Sequence, residues 1–526
     1  MTRLVILLLI AAFFNGLSWI VLIPVWQYPD EQAHFAQVQD VAELNYIPNG
    51  KNTSREIALS EQILGTKRDG FGNNKFTYHP EYKINYSNNY NGLFEDIFIN
   101  LPQTSRLELV KNEATQNPPL YYFLGSFAYK LFYNSNLFGR IFTLRIFSLL
   151  MFMLTIFLSL KIGSLVFENS SIFRIVLPCL VAFKPMLVFA STGILPDPLT
   201  NLLFSLVVFL SVLIIKGGIK VKYLLFAFVV IILGSLDRQQ FLISLPILAV
   251  AVFYRASRDY RKKSKYFFGI LAVVVILILL SFLILQLQRI TIFSIPEIGH
   301  PNLNLLLSVD FFKYTVQFIK ETVRQTLPWY WGVYRWLSFT LPPLYYRIID
   351  RFILIAIAGV VVRLFFMMKR RQIKTEEKVV VFFILASLIY FGLIMIWDYY
   401  FRLLYGYSFG IQGRYFFPFA VVHMSILLFG IWQIFEISLK RYAIFGAFAL
   451  VILIIIFNDI SLFYVSSSYY GSRNLEIFIV QASQYKPLLF KGNMILLILS
   501  LNLGLQILLL VYIGKYAVKK FSQKYY

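Results

Sequence analysis

Apolar runs of roughly 17–25 residues recur along this chain from one end to the other, the length a helix needs to cross the hydrocarbon of a bilayer. The runs are made of Leu, Ile, Val and Phe, without the in-out alternation of a membrane barrel. Helices are therefore the only spanning element open to it. Charged residues make up 14% of the 526, whereas a soluble domain carries about a quarter. The fold class expected is an all-α integral membrane protein with about 12 transmembrane helices.

The net charge of +23 invites a nucleic-acid reading. Its distribution argues for another. The basic residues gather in short loops between apolar runs: Arg255, Arg258, Arg261, Lys262, Lys263 and Lys265 in one, Lys369, Arg370, Arg371, Lys374 and Lys378 in another. Smaller groups stand at Lys216, Lys220 and Lys222 and at Lys440 and Arg441, and Lys515, Lys519, Lys520 and Lys524 lie near the C-terminus. That is the positive-inside pattern, not a stripe for phosphodiesters, so no nucleic-acid partner is expected.

With the basic loops placed in the cytoplasm, both termini fall there too. The spans are expected at 4–25, 141–160, 175–191, 199–215, 223–236, 241–254, 266–287, 352–368, 379–397, 416–437, 444–464 and 494–512. Long external regions then lie at 26–140 and 288–350. The stretch 118–132 is apolar enough to compete as a span. If it crossed, the next three basic loops would move outside, so it reads as re-entrant or interfacial. The first run is longer than a signal-peptide core and has no small-residue cleavage site after it, so it is expected to stay as an anchor. A single cysteine, Cys179, excludes an intramolecular disulfide and a cysteine-ligated zinc site.

Acidic groups are scarce, so their positions carry information. Asp30 and Glu31 follow the first span at the outer surface, and Asp197 stands between Pro196 and Pro198 at the outer end of another helix pair. An ionisable side chain at membrane depth is costly, and a functional role is the default hypothesis. Both positions fall on one side, so these acids are expected to converge on one site. The plain alternatives are a helix cap for Asp30 and a turn for Asp197. A helix is expected from Asp30 through Glu43, with Phe35, Val38 and Ala42 on one interfacial face. Asp30 would then sit at a helix N-terminus, which favours the ionised carboxylate a base or a metal ligand needs. His34 lies one turn on, where it and Asp30 can share a phosphate or a divalent ion, or serve structure alone. Arg238 and Arg414 end apolar segments on the same side, where each can pair bidentately with a lipid phosphate or snorkel to the headgroups.

Five elements in order resemble one family. They are Tyr28-Pro29-Asp30-Glu31-Gln32-Ala33-His34-Phe35, Asn117-Pro118-Pro119-Leu120-Tyr121-Tyr122, Leu195-Pro196-Asp197, Trp331-Gly332-Val333-Tyr334-Arg335-Trp336 with Leu341-Pro342-Pro343, and Gly410-Ile411-Gln412-Gly413-Arg414-Tyr415-Phe416-Phe417-Pro418. Together they resemble the domain-of-unknown-function 2142 family, within the GT-C clan of membrane glycosyltransferases. In the fourth, Arg335 stands where that family's stretch carries its second Gly. The resemblance covers Pro29 to Pro418, and the helices from Ile444 onward add no motif. It implies a GT-C-like catalytic module over 1–437 and a C-terminal part, 438–526, of further helices and a basic tail.

The resemblance also implies a reaction: a sugar leaves a polyprenyl-phosphate lipid for an extracytoplasmic acceptor glycan, lipid or protein, in the plasma membrane of a bacterium. Asp30, with Glu31 beside it and Asp197 as a second acid, would be catalytic. Arg414, Arg238 and His34 would hold the donor phosphate. Asn117, Trp331, Tyr334, Gln412 and Tyr415 would contact substrate. No cofactor is demanded, although Asp30, Glu31 and Asp197 are candidate ligands for a divalent cation (Mg or Mn). Two rival classes stand beside this one. A surface-polysaccharide polymerase or ligase would lean on external arginines. A transporter or flippase of lipid-linked sugars would show internal repeats, which this sequence lacks.

Overall fold

The computed structural model describes residues 2–45, 52–67, 75–111, 118–168, 170–259, 309–370, 374–472 and 474–525. Among them nine helices are long and apolar enough to cross a membrane: Thr2–Leu22, Leu137–Val166, Asp197–Gly217, Gln239–Ser257, Pro343–Lys369, Thr375–Tyr405, Gly413–Ser438, Ala443–Tyr470 and Asn493–Gln523. A tenth is broken. Phe173–Ala182 and Pro185–Thr192 meet at 58°, at a Lys184-Pro185 step where the proline cannot continue the preceding hydrogen-bond ladder. The span expected at 223–236 is the 15-residue helix Val221–Ser235, short of a full crossing. The span expected at 266–287 lies outside the described residues. Nine or ten spans, rather than twelve, are therefore what the described residues provide.

Asp197–Gly217 runs through the middle of the bundle, packed by Leu137–Val166, Val221–Ser235 and Ser244–Asp259. It carries Asp197 at its first residue and Lys216 at the other end, about 30 Å apart at 1.5 Å per residue. Pro343–Lys369 and Ala420–Ser438 make a close helix pair. A Cβ on Gly359 would stand 1.9 Å from the Gly430 carbonyl oxygen, and one on Gly430 would stand 2.1 Å from that of Ala356. Only small residues allow backbones to approach so closely in a membrane bundle. The helices drawn as a C-terminal part return to the start of the chain. Asn493–Tyr525 packs along Thr2–Leu22, and Asn458 bonds both Asn15, at 2.7 Å, and the Trp19 indole, at 3.1 Å.

The first long polar region carries the helices Glu31–Leu44, Arg55–Leu64, Leu93–Ile99 and Leu120–Leu131. Asn52–Ser54 pairs antiparallel with Leu109–Lys111, Asn52 opposite Lys111. Glu31–Leu44 is not a surface helix with one apolar face. Residues 31–42 are all buried, Gln37, Gln39 and Asp40 included, because Leu120–Leu131 and its neighbours cover the polar face. Leu120–Leu131 itself, with 12 residues, is about 18 Å long and too short to cross. In the second polar region Val333–Tyr334 pairs with Phe339–Thr340 in a tight hairpin.

Candidate active site

Four separated segments, those carrying Asp197, Asp30, Arg414 and Arg238, meet at the Asp197 end of the bundle. Pro196 and Pro198 flank Asp197 where the central helix begins, so its carboxylate sits at a helix start with no proline N–H to satisfy. Asp30 precedes Glu31–Leu44. Arg414 comes from the turn Gly413–Phe419 that opens Ala420–Ser438. Arg414 Nη2 donates to Asp30 Oδ2 at 3.3 Å, and its Nη1 stands 3.6 Å from Asp197 Oδ2. Its Nε donates to Gln412 Oε1 at 2.9 Å, and the guanidinium lies over the Tyr415 ring at 5.6 Å. Arg238 Nη2 pairs with Asp197 Oδ1 at 2.8 Å. Two aspartates and two arginines thus form one chain, Asp30–Arg414–Asp197–Arg238, with Arg414 buried and a third of the Asp30 side chain exposed.

Asp30 does not cap its helix. Its backbone is left-handed (φ 55°), and the side chain makes no capping bond, because that turn sends the carboxylate to Arg414 instead. Glu31 goes the other way. Its oxygens each accept from Arg145 at 2.7 Å and one also accepts from Trp26 N at 3.0 Å, with no exposure on either side chain. Arg145 further donates to the carbonyls of Ile23 and Pro24. His34 stacks on Tyr122, and its Nδ1 is 2.8 Å from the Tyr122 hydroxyl. Trp331 and Tyr334 are buried in the bundle, Tyr334 stacked on Trp19 at 5.7 Å. Asn117 lies outside the described residues. Of the candidates, then, Asp30, Asp197, Arg238, Arg414, Gln412 and Tyr415 come together. Glu31, Trp331 and Tyr334 are engaged elsewhere, and His34 is turned to Tyr122.

Of the three candidate ligands for a divalent cation, Glu31 is withdrawn from the cluster. It is locked to Arg145, and the other two already face a guanidinium. Among the described residues no three His, Cys, Asp or Glu side chains gather in metal-binding range.

Several contributors carry no signal in the motifs. Asp237 accepts from Thr200 Oγ1 at 2.5 Å, and burial pushes its carboxyl up to about 7, with Thr200 and Arg238 opposing and Asp197 adding. Asn201, one turn after Asp197, is buried with its Nδ2 unbonded. Arg414 Nη1, Asp197 Oδ2, Arg238 Nε and Asp237 Oδ1 also lack a hydrogen-bond partner among the described residues. In a folded protein such atoms are met by water, an ion or a polar ligand.

The Arg414 turn is held from behind. A Cβ on Gly413 would fall 2.2 Å from Tyr330 N, so the turn lies directly on the Trp329–Tyr330 backbone. Lys184, at the break of the bent helix pair, donates to the Tyr330 carbonyl at 2.7 Å and lies over the Phe417 ring. The Lys-Pro step and the Gly before Arg414 were the sequence signals for this support.

The fold and this cluster define a polytopic α-helical membrane protein with an arginine–carboxylate site at one end of its bundle. A family model described as "Predicted membrane protein (DUF2142)" matches residues 13–423, and the chain belongs to that family. No curated protein matches it. Among solved structures it is similar to the oligosaccharyltransferase of Archaeoglobus fulgidus, at 15% identity and a TM-score of 0.43, over 90% of this chain and 54% of that one. It is also similar to that organism's oligosaccharyltransferase AglB in complex with an inhibitory peptide and a dolichol-phosphate (14%, TM-score 0.43, 90% and 56%). A third is ArnT from Cupriavidus metallidurans bound to undecaprenyl phosphate (12%, TM-score 0.38, 97% and 77%). The chain spans little more than half the length of the first two.

Proposed function

We propose that this protein is a GT-C-type glycosyltransferase that moves a sugar from a polyprenyl-phosphate-linked donor to an acceptor glycan, lipid or protein, outside the cytoplasm. The observation that carries the reading is Arg414 suspended between two carboxylates. A charge-assisted N–H···O bond settles at about 2.7–2.9 Å, whereas Arg414 meets Asp30 at 3.3 Å and Asp197 at 3.6 Å. A phosphate oxygen offers the guanidinium a closer partner than either.

On this reading the donor phosphate takes Arg414, and Asp30 at its edge serves as the base. The acceptor hydroxyl oxygen bonds to the anomeric carbon while its proton passes to Asp30. The bond from that carbon to the phosphate oxygen breaks, the electron pair leaves on the phosphate, and Arg414 stabilises the charge. Asp197 and Arg238 keep Arg414 in place. The lipid has a course as well. An apolar cavity of about 500 Å³ between Pro343–Lys369, Thr375–Tyr405 and Ala420–Ser438 is lined by Phe416, two residues from Arg414. The position of the cluster at the end of Asp197–Gly217, rather than halfway along it, favours a transferase over a transporter with its site at mid-bilayer.

The test is transfer itself. Purified protein given a panel of radiolabelled polyprenyl-phosphate sugars, with a membrane extract as acceptor, should release free lipid phosphate as label moves to acceptor. No transfer from any donor, with folded protein confirmed, would overturn the reading.

A further inference from the structure

One pair of stacked aromatic rings lies at the surface of the second polar region. Tyr78 and Trp329 stack at 6.2 Å with 30° between their planes, and Tyr78 is 58% exposed. Trp329 lies against the phenol, and more than half of Tyr78 stays exposed. His79 and Glu81, paired at 2.9 Å and exposed, stand beside it with Tyr82. A flat electron-rich face with hydrogen-bonding groups at its edge suits a sugar ring. The polarised C–H bonds on one face of a pyranose meet the negative face of the aromatic, and the edge groups take hydroxyls.

The backbone holding this pair is under strain. Arg335, Trp336 and Leu337 are three successive residues with positive φ (50°, 56° and 64°), and Tyr78 is a fourth at 62°. Such conformations are costly for a residue with a Cβ and persist only where the surroundings impose them. The impositions are visible. Tyr78 N donates to Trp336 O at 3.2 Å, Trp336 Nε1 donates to Trp26 O at 3.1 Å, and Arg335 Nη2 donates to Tyr82 O at 2.6 Å. Glycine is the residue that adopts this φ without penalty. In this chain Arg335 adopts it with a charged side chain, which ties the Tyr78–Tyr82 loop to the hairpin. The Trp329 backbone also lies against the turn that carries Arg414, since a Cβ on Gly413 would stand 2.5 Å from the Trp329 carbonyl carbon.

We infer that Tyr78 and Trp329 form a stacking platform for a sugar ring of the acceptor, presented from the aqueous side to the Asp30–Arg414 cluster. The inference deepens the transferase reading and rests on it for the ring's role as acceptor. Full-length protein in nanodiscs, titrated with methyl glycosides of glucose, mannose, galactose and N-acetylglucosamine, tests it by saturation-transfer difference NMR. At least one glycoside should receive saturation on its ring C–H protons. Its apparent affinity should weaken about fivefold in Tyr78→Ala and survive in Tyr78→Phe, which keeps the ring. Undecaprenyl phosphate binding to the same preparations reads the donor site and should be equal in wild type and Tyr78→Ala. No saturation transfer to any of the four in wild type, or equal transfer in Tyr78→Ala, overturns the platform. Glycoside binding that depends on Tyr78, in protein that binds no undecaprenyl phosphate, supports the platform and overturns the donor assignment instead.

Discussion

Asp30 and Glu31 are neighbours in the chain, and each meets an arginine, yet the two pairs differ in every physical respect. Glu31 and Arg145 are fully buried, joined by two bonds of 2.7 Å, and the arginine's remaining donors are spent on backbone carbonyls. Asp30 is one-third exposed, meets Arg414 at 3.3 Å, and leaves that arginine a nitrogen without a bond. A saturated pair has nothing left to offer a ligand. It fixes where the first span hands over to the helix that follows. An arginine with a nitrogen to spare can take a further partner, and that is what binding requires. Burial and geometry, not residue type, thus separate a strut from a site.

The largest effect that would sharpen this contrast is on folding. Arg145→Met leaves the Glu31 charge buried and unpaired, a loss of about 3–5 kcal/mol. The variant should fail to accumulate as monodisperse protein or should melt far below wild type. A wild-type melting curve would remove the structural role given to the pair. Next in size is Arg414→Lys, which keeps the charge but not the planar fork. Turnover should drop on the order of 10²-fold with the thermal midpoint close to wild type. Full activity would take Arg414 out of the site.

The smallest effect is one of pH. Asp237 protonates at about 7 in the folded protein against 3.8 for an unperturbed carboxyl, burial being the main cause. Between those values the native state holds more protons than the unfolded chain, so this group's contribution to stability falls as pH rises through that window. Asp237→Asn cannot titrate. It should flatten the decline of the thermal midpoint between about pH 5 and 7 and leave the Arg238–Asp197 pair in place. A slope identical to wild type would show that Asp237 does not titrate there.

Much of this was legible in the sequence, and the remainder has physical reasons. The apolar runs located nine or ten of the twelve expected spans because hydrocarbon imposes length and composition on a crossing helix. Asp30, Asp197, Arg238 and Arg414 could be assigned to one end because topology follows the basic loops. Their mutual pairing could not be read, since it depends on side-chain directions across segments hundreds of residues apart. The left-handed turn at Asp30 was hidden for a similar reason: a Pro-Asp-Glu start reads as a cap, and only tertiary contact overrides it. Arg145 was the larger omission. An arginine within an apolar run is costly unless partnered, and both Arg140 and Arg145 in Leu137–Val166 find buried glutamates, Glu56 and Glu31. The run was legible as a span, but those two positions were also requests for partners. Lys184-Pro185 was a comparable signal, a break set inside an otherwise smooth run.

The measurement that reaches the centre of the account compares Asp30→Asn with Glu31→Gln, two adjacent isosteric changes, in thermal midpoint and in single-turnover sugar transfer. Asp30→Asn should melt like wild type, bind undecaprenyl phosphate, and transfer about 10²–10⁴-fold more slowly, the range for loss of a general base. Glu31→Gln should lose its midpoint first, and whatever fraction stays folded should transfer at close to the wild-type rate. The reverse pattern, a stable but inactive Glu31→Gln beside a fully active Asp30→Asn, would contradict the assignment of site and strut.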